Sequence, residues 1–126
     1  EQVWSHFGRH EAEQIKRNFG LTGDGISVLV RGLRLAPSWT LWGDYRVEQT
    51  SDREAVLQVL NCHSQKERLK AGLGVFNCKG VEGGYFASFA KVIDPRIQVH
   101  CAFCPPAKYF DNLWCEWHFE MEEERK

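Results

Sequence analysis

The sequence predicts an α+β domain in which an antiparallel sheet carries one or two helices and a structural zinc ion stabilises the fold. Three observations favour this class: a helical pattern opens the chain, short apolar runs between turn residues fill its second half, and cysteine and histidine pairs stand near its end. Short turns join consecutive strands as antiparallel neighbours. With 126 residues, of which 43% are hydrophobic, the chain is expected to form a single domain over 1–126.

The first elements follow from apolar spacing. A helix is predicted because apolar residues recur at steps of three and four residues or their multiples until Gly20: Val3, Trp4, Phe7, Ile15 and Phe19. After a glycine turn at 23–25, the β-branched run at 26–35 predicts a strand, which Pro37 and Ser38 interrupt. The segment 39–47 predicts the next strand, paired with the first.

The remaining elements alternate between one helix and several strands. Ser51 and Asp52 are N-cap candidates for a second helix of about ten residues. The apolar side of this helix would comprise Val56, Leu57, Val59 and Leu60. The charged stretch 63–70 predicts a continuing helix or a loop. Further strands are predicted at 74–78, 85–93, 97–100 and 113–121, with turns at 79–84 and 94–95.

Composition excludes several classes of protein. The 16 basic and 17 acidic residues give a net charge of −1, which argues against a general phosphate-binding surface. No apolar run approaches the roughly 18–20 residues of a membrane span, so no membrane partner is expected. Five cysteines are an odd number, and this favours a reducing compartment over a secreted disulfide framework.

The cysteines and histidines near the end of the chain have the spacing of a metal site. Cys101 and Cys104 form a C-x2-C pair, and Cys115 and His118 form a C-x2-H pair after ten intervening residues. Thiolates and imidazole nitrogens are the ligands of closed, tetrahedral zinc sites, so these four residues are the predicted ligands. Because Cys115 and His118 are three apart on a predicted strand, a bulge is needed to direct both at one ion. Four residues are available as replacement ligands: His100, Cys78, Cys62 and His63.

No catalytic residue is predicted. His118-Phe119-Glu120 imitates the H-x-E of zinc deaminases, but that signature requires a P-C-x-x-C after it, and here the cysteine pair comes first. The chain has no phosphate loop, nucleophile elbow or paired-carboxylate pattern. The sequence therefore predicts a protein that is not an enzyme.

A partner-binding surface is expected on the strand around 39–47. Trp39 and Trp42 are three residues apart and cannot both face inward on a regular strand. Exposed aromatic and arginine side chains are typical of interface hot spots, so Trp39, Trp42, Tyr45 and Arg46 are the predicted partner-binding residues. The predicted function is a non-enzymatic protein-interaction module. The alternative is a small nucleic-acid-binding domain in which the same aromatic residues stack on bases.

Two stretches resemble the adenoviral early-region-four thirty-four-kilodalton protein family. The first contains Val30-Arg31-Gly32-Leu33, Thr40-Leu41, Val47, Arg53-Glu54 and Cys62-His63. The second contains Cys78, Gly83-Gly84, Ala87-Ser88-Phe89, Val92 and Asp94. The resemblance implies a viral adaptor that acts in the nucleus or cytoplasm of the host cell. It also implies that the chain binds host proteins, recruits the elongin B/C and cullin ubiquitin-ligase machinery, and holds zinc through cysteine and histidine.

Overall fold

The computed structural model describes residues 2–36, 43–74, 79–105 and 113–121. Its elements are α1 (Gln2–Phe19), α2 (Ile26–Leu35), β1 (Gly43–Ser51), β2 (Glu54–Cys62), α3 (His63–Lys70), α4 (Lys79–Ile93), β3 (Ile97–Phe103) and β4 (Cys115–Met121). The predicted α+β class and antiparallel sheet are confirmed. The described residues form four helices, more than the one or two that the sequence predicts.

The helix predicted at the start of the chain is confirmed as α1, but its buried face differs from the predicted one, because Val3 is 76% exposed and Phe19 is 58% exposed. Gly8, Glu11, Ala12 and Ile15 are buried at the three- and four-residue steps of one helix face. Gly20 ends the helix with a φ of 64°, a conformation that glycine adopts without strain.

The strand predicted at 26–35 is wrong, because this segment forms α2. Its buried residues include Ile26, Leu29 and Leu33, which share one helix face. Its exposed residues Ser27 and Arg31 lie four apart on the opposite face. The β-branched composition favours a strand, but the spacing of the polar residues is helical, and burial of the apolar face decides the outcome.

The helix predicted after Ser51 is also wrong. Residues 54–62 form β2, in which Ala55, Leu57 and Val59 are buried in strict alternation. Ser51 does not cap a helix, since it lies opposite Glu54 across the turn that joins β1 to β2. The strand predicted at 39–47 is confirmed for 43–47, which lie in β1, and 39–42 lie outside the described residues.

The strand predicted at 85–93 is also wrong, because here too burial of an apolar helix face overrides the local preference for a strand. This segment belongs to α4, where Tyr85, Phe86, Phe89, Ala90 and Ile93 are buried at helical intervals. Residues 63–70, for which a helix or a loop is predicted, form α3. The strands predicted at 97–100 and 113–121 are confirmed, with β3 extending to residue 103 and β4 beginning at 115. Most of the strand predicted at 74–78 lies outside the described residues.

The sheet has the strand order β1-β2-β4-β3, with every neighbouring pair antiparallel. One face is covered by α2 and α4, and α1 packs against the outer side of α4. The strand side chains that point towards the helices are buried: Val47, Ala55, Leu57, Val59, Ile97, Cys115, Trp117 and Phe119. The opposite face carries the alternate side chains of all four strands, and we call it the open face.

Aromatic rings join α4 to the sheet. Phe86 lies 5.2 Å from Trp117 and 5.5 Å from Phe119 between ring centroids, the latter in a T-shaped arrangement. Tyr85 is 5.8 Å from Phe7 of α1. These contacts place the centre of the core between α4 and β4.

Helices α1 and α4 approach each other most closely at Gly8. A Cβ atom added at Gly8 would lie 2.3 Å from the backbone carbonyl oxygen of Tyr85, which is closer than such atoms come in proteins. Glycine is therefore required at this crossing, because any side chain would separate the two helices. One turn further along α1, the buried Glu11 carboxylate accepts a hydrogen bond from the Tyr85 hydroxyl.

A buried carboxylate fixes the turn between α4 and β3. Asp94 is 2% exposed and accepts a hydrogen bond from the backbone N–H of Gly25, at 3.1 Å, at the start of α2. The Arg96 guanidinium donates to both carboxylate oxygens, at 3.0 and 2.7 Å. Asp94 thus joins the beginning of α2 to the end of α4.

Candidate functional site

The open face of the sheet is the candidate site. On this face lie side chains from each of the four strands: Arg46, Glu48, Glu54, Val56, Gln58, Gln98, His100, Glu116, His118 and Glu120. All of them are exposed or half-buried, whereas their neighbours along each strand point towards the helices. The pleat of the strands therefore gathers residues that are distant in sequence onto one surface.

A chain of side-chain hydrogen bonds runs across the open face from β1 to β4. The Arg46 guanidinium donates to the Gln58 Oε1 atom at 2.5 Å, and the Gln58 amide donates to Glu116 Oε1 at 2.7 Å. The second oxygen of Glu116 is 2.7 Å from His118 Nε2. The hydrogen bonds with Gln58 and His118 lower the pKa of Glu116, so this group remains a carboxylate.

A second histidine–glutamate pair lies beside the first. His100 Nε2 is 2.6 Å from Glu120 Oε1, and His100 stands directly opposite His118 in the β3–β4 register. Glu120 also stands opposite Glu54 in the β2–β4 register. Directly opposed like charges destabilise a sheet, so the pair of Glu54 and Glu120 is unfavourable in the isolated protein.

The open face carries an excess of negative charge. Among the described residues of this face, the carboxylates of Glu48, Glu54, Glu116 and Glu120 outnumber the Arg46 guanidinium. A shallow hollow of about 280 Å³ lies among these groups. Its lining comprises Arg46, Glu48, Thr50, Val56, Gln58, Glu116 and His118. The arrangement suits a cationic ligand with an apolar portion, since Val56 lies between the carboxylates.

The four-ligand zinc site does not form around a regular β4. Cys115 is buried on the helix-covered face, and His118 is exposed on the open face. The register of β4 is regular from 115 to 120, so no bulge turns the two side chains to one side. Among the described ranges, no group of three or more cysteine, histidine, aspartate or glutamate side chains is placed to hold a metal ion.

The replacement ligands are also spread apart. His100 lies on the open face, His63 is exposed at the start of α3, and Cys62 ends β2. Cys78 lies outside the described residues. Cys101 lies within β3, and Cys104 directly follows the strand and is buried in the core. Zinc binding by this chain stays a prediction, without His118 as a ligand.

We expect His118→Ala to leave the zinc content of the purified protein unchanged, because His118 points away from every cysteine on the helix-covered face. Elemental analysis of the protein before and after the substitution measures this directly. The matched variant is Cys104→Ser, which removes a thiol from the opposite face. Loss of zinc on His118→Ala alone would show that β4 bends to bring Cys115 and His118 together.

The predicted partner-binding residues divide between the two faces of β1. Tyr45 is half-buried, its hydroxyl donates to the Leu33 carbonyl at 3.0 Å, and burial raises its pKa. Arg46 is exposed on the open face, 3.7 Å from Glu48. Trp39 and Trp42 lie outside the described residues. Of the four, Arg46 alone is shown at the candidate site.

Sequence reasoning missed most of this site because its members come from strands that pair only in the fold. Gln58 lies in a segment for which a helix is predicted, so its position beside Glu116 is not foreseeable from the sequence. The alternation of Glu116, His118 and Glu120 with Cys115, Trp117 and Phe119 is the signal that would have revealed the open face.

The comparisons with known proteins identify one family. A family model, described as a family of unknown function (DUF6125), matches residues 1–121. No curated protein and no solved structure matches the chain. In the part of the chain that the structure describes, no helix has the length and apolar character needed to cross a membrane.

The resemblance to the adenoviral protein family is wrong, since the family that matches nearly the whole chain is a different one. The short blocks that suggested it lie in amphipathic elements: Val30-Arg31-Gly32-Leu33 belongs to α2, and Ala87-Ser88-Phe89 belongs to α4. Small and apolar residues recur at such positions in many unrelated helices. The viral adaptor, the elongin and cullin partners and the host-cell location that the resemblance implies are withdrawn with it.

Proposed function

The chain belongs to this family of unknown function, and we propose from the geometry of its open face that it is a protein-interaction module. Its partner is a protein segment rich in lysine or arginine, bound across the sheet over β1, β2 and β4. The observation that carries the proposal is a sheet face that no described helix covers and on which the carboxylates of the described residues outnumber the Arg46 guanidinium. Positive charge on the partner would compensate the carboxylates of this surface.

Charge decides among the possible occupants of the open face. A second copy of the chain would bring carboxylates against carboxylates, and like-charge contacts disfavour association. Nucleic acid would bring phosphates against the same groups. A basic segment would make favourable charge contacts at two places in the hollow, because its cationic groups would meet Glu48 and Glu116. The aliphatic part of a lysine or arginine side chain would lie over Val56.

The hydrogen-bond chain supports binding because it holds the carboxylates in position. Glu116 is fixed by Gln58 on one oxygen and by His118 on the other. Gln58 is in turn held by Arg46. A side chain that is already ordered loses little conformational freedom when a partner binds, which favours affinity.

The nucleic-acid alternative has no observation in its favour. It depends on Trp39 and Trp42, which lie outside the described residues, and on Tyr45, which points towards the core. It stays a prediction, with the salt dependence of oligonucleotide binding as its test.

We expect a fluorophore-labelled lysine peptide to bind the protein, and the double variant Glu54→Gln/Glu120→Gln to raise its Kd by about tenfold, which corresponds to ~1.4 kcal/mol. These two carboxylates stand opposite each other on the open face. Their removal takes two carboxylates from the open face without altering the helix-covered core. Fluorescence anisotropy in dilute buffer gives the Kd of each variant.

The matched control is the double variant Glu13→Gln/Glu67→Gln, which removes two exposed carboxylates from α1 and α3. It changes the net charge of the protein by the same amount, so it reports non-specific attraction, and we expect its Kd to change by less than about twofold. Equal weakening in both double variants, or no binding by the parent protein, would refute the proposed surface.

A further inference from the structure

Two cysteines lie at the end of the β3–β4 ladder, one beside each strand terminus. Cys101 stands opposite Trp117, and Phe103 stands opposite Glu116, with an irregularity between the two pairs. Continuing this antiparallel register by one step places Cys104 opposite Cys115. Cys104 directly follows the last residue of β3, and Cys115 is the first residue of β4.

Both thiols point to the same side of the sheet. Cys104 is 5% exposed and Cys115 is 2% exposed, and both belong to the apolar core. Glu116, between Cys115 and Trp117, points to the open face instead. Directly opposed residues of antiparallel strands have Cα atoms about 4.5–5.5 Å apart, which lies within the roughly 4.4–6.8 Å that a disulfide bridges.

We propose that Cys104 and Cys115 are a reversible redox pair, which carries thiols in this structure and closes a cross-strand disulfide in the presence of a peroxide. The inference is independent of the open face, because both sulfur atoms lie on the opposite side of the sheet. Cys104 and Cys115 are also two of the four predicted zinc ligands, and a disulfide between them would exclude a metal ion bound to both thiolates.

The reaction has two steps. The thiolate of one cysteine attacks a peroxide oxygen, so that an S–O bond forms, the O–O bond breaks and hydroxide leaves. The second thiolate then attacks this sulfur, an S–S bond forms, the S–O bond breaks, and a second hydroxide leaves. The two protons of the thiols convert both hydroxides to water. Two electrons pass from sulfur to the peroxide, and no other reactant is needed.

Access to the buried thiols comes from the position of the pair at the end of the ladder. Cys104 follows β3 and precedes Pro105, which has no N–H group to extend the pairing. Strand ends open locally far more often than strand centres do. Oxidation is therefore expected to be slow, and the disulfide stable once the end closes again.

The register also selects this pair over the other described cysteines. Cys101 is opposite Trp117, one inward position away from Cys115. Cys62 is on β2, where Val59 and not Cys62 is the partner of Cys115. Neither Cys62 nor Cys101 directly faces another described cysteine across a strand pair.

The test is oxidation of the full chain with hydrogen peroxide, followed by alkylation of the remaining thiols and peptide mapping by mass spectrometry. We expect one cross-linked peptide joining Cys104 to Cys115, with the loss of two hydrogens. Because the bond closes a short loop, the Tm should rise by about 5 °C or more and return on addition of a dithiol.

Cys104→Ser should abolish the cross-link and the Tm shift, and Cys62→Ser should retain both. If Cys104→Ser does not fold, the peptide map of the unsubstituted chain still identifies the bonded residues. Over-oxidation to sulfinic acid without a cross-link, a cross-link between other cysteines, or thiols that react only after a chelator removes a metal would each overturn the proposal.

Discussion

Gly8→Ala is expected to lower the free energy of unfolding by at least ~2 kcal/mol, although alanine is the better helix former. The new methyl group would lie 2.3 Å from the backbone oxygen of Tyr85, and a backbone atom cannot move aside as a flexible side chain can. The two helices must separate, which also loosens the contact between Phe7 and Tyr85. Chemical denaturation of the two proteins measures the difference.

The matched control for this substitution is Gly83→Ala on the partner helix. There an added Cβ atom would lie 3.5 Å from the Trp117 ring, which is ordinary contact. The variant should be neutral or more stable by up to about 1 kcal/mol, because the helix gains alanine's propensity. Similar losses at Gly8 and Gly83 would show that helix propensity or general crowding, and not the close crossing, determines the effect.

Asp94→Asn is expected to lower the free energy of unfolding by about 2–3 kcal/mol. The Oδ2 atom accepts hydrogen bonds from the Gly25 N–H and from the Arg96 guanidinium, and the Oδ1 atom accepts one from the same guanidinium. Asparagine places an NH2 group where one carboxylate oxygen was, so the donors to that oxygen lose their acceptor. The control is Asp24→Asn, whose carboxylate is 3.5 Å from the same guanidinium but 69% exposed. That change should cost less than about 0.5 kcal/mol.

The effect of Asp94→Asn should depend on pH in a defined direction. The hydrogen bond from the Arg96 side chain lowers the pKa of Asp94 in the folded protein. A lowered pKa stabilises the fold above the pKa of the unfolded chain, about 3.9 for aspartate. This stabilisation is lost as the pH falls through the lower pKa of the folded state. The two proteins should therefore differ most near neutral pH and converge in acid; a constant difference across this range would contradict the role of the charge.

The sequence predicts the fold class, the first helix and the last strand, because in each the apolar spacing and the residue type favour the same structure, although Val3 and Phe19 of the predicted helix face are exposed. It fails where spacing and residue type conflict. Residues 26–35 are β-branched but spaced as a helix, and residues 54–62 follow two cap residues but alternate as a strand. In both, the face that must be buried against the rest of the core decides the structure, and local preference is overridden.

The candidate site is less predictable than the fold. The outward position of Glu116 follows from alternation along β4, but its contact with Gln58 depends on the β2–β4 register, which no local pattern specifies. The separation of Cys115 from His118, in contrast, could have been predicted from the sequence. Their spacing suggests a shared ion, and the alternation of the strand, which is also visible in the sequence, excludes one on a regular strand.

The opposed pair of Glu54 and Glu120 has a consequence for how the protein divides its stability between folding and binding. Two like charges across adjacent strands make the free protein less stable than a neutral pair would. A cation bound between them would remove this repulsion, so relief of the repulsion would contribute to the binding free energy. Sequence changes that neutralise the pair would make the fold more robust and the protein less able to hold its partner.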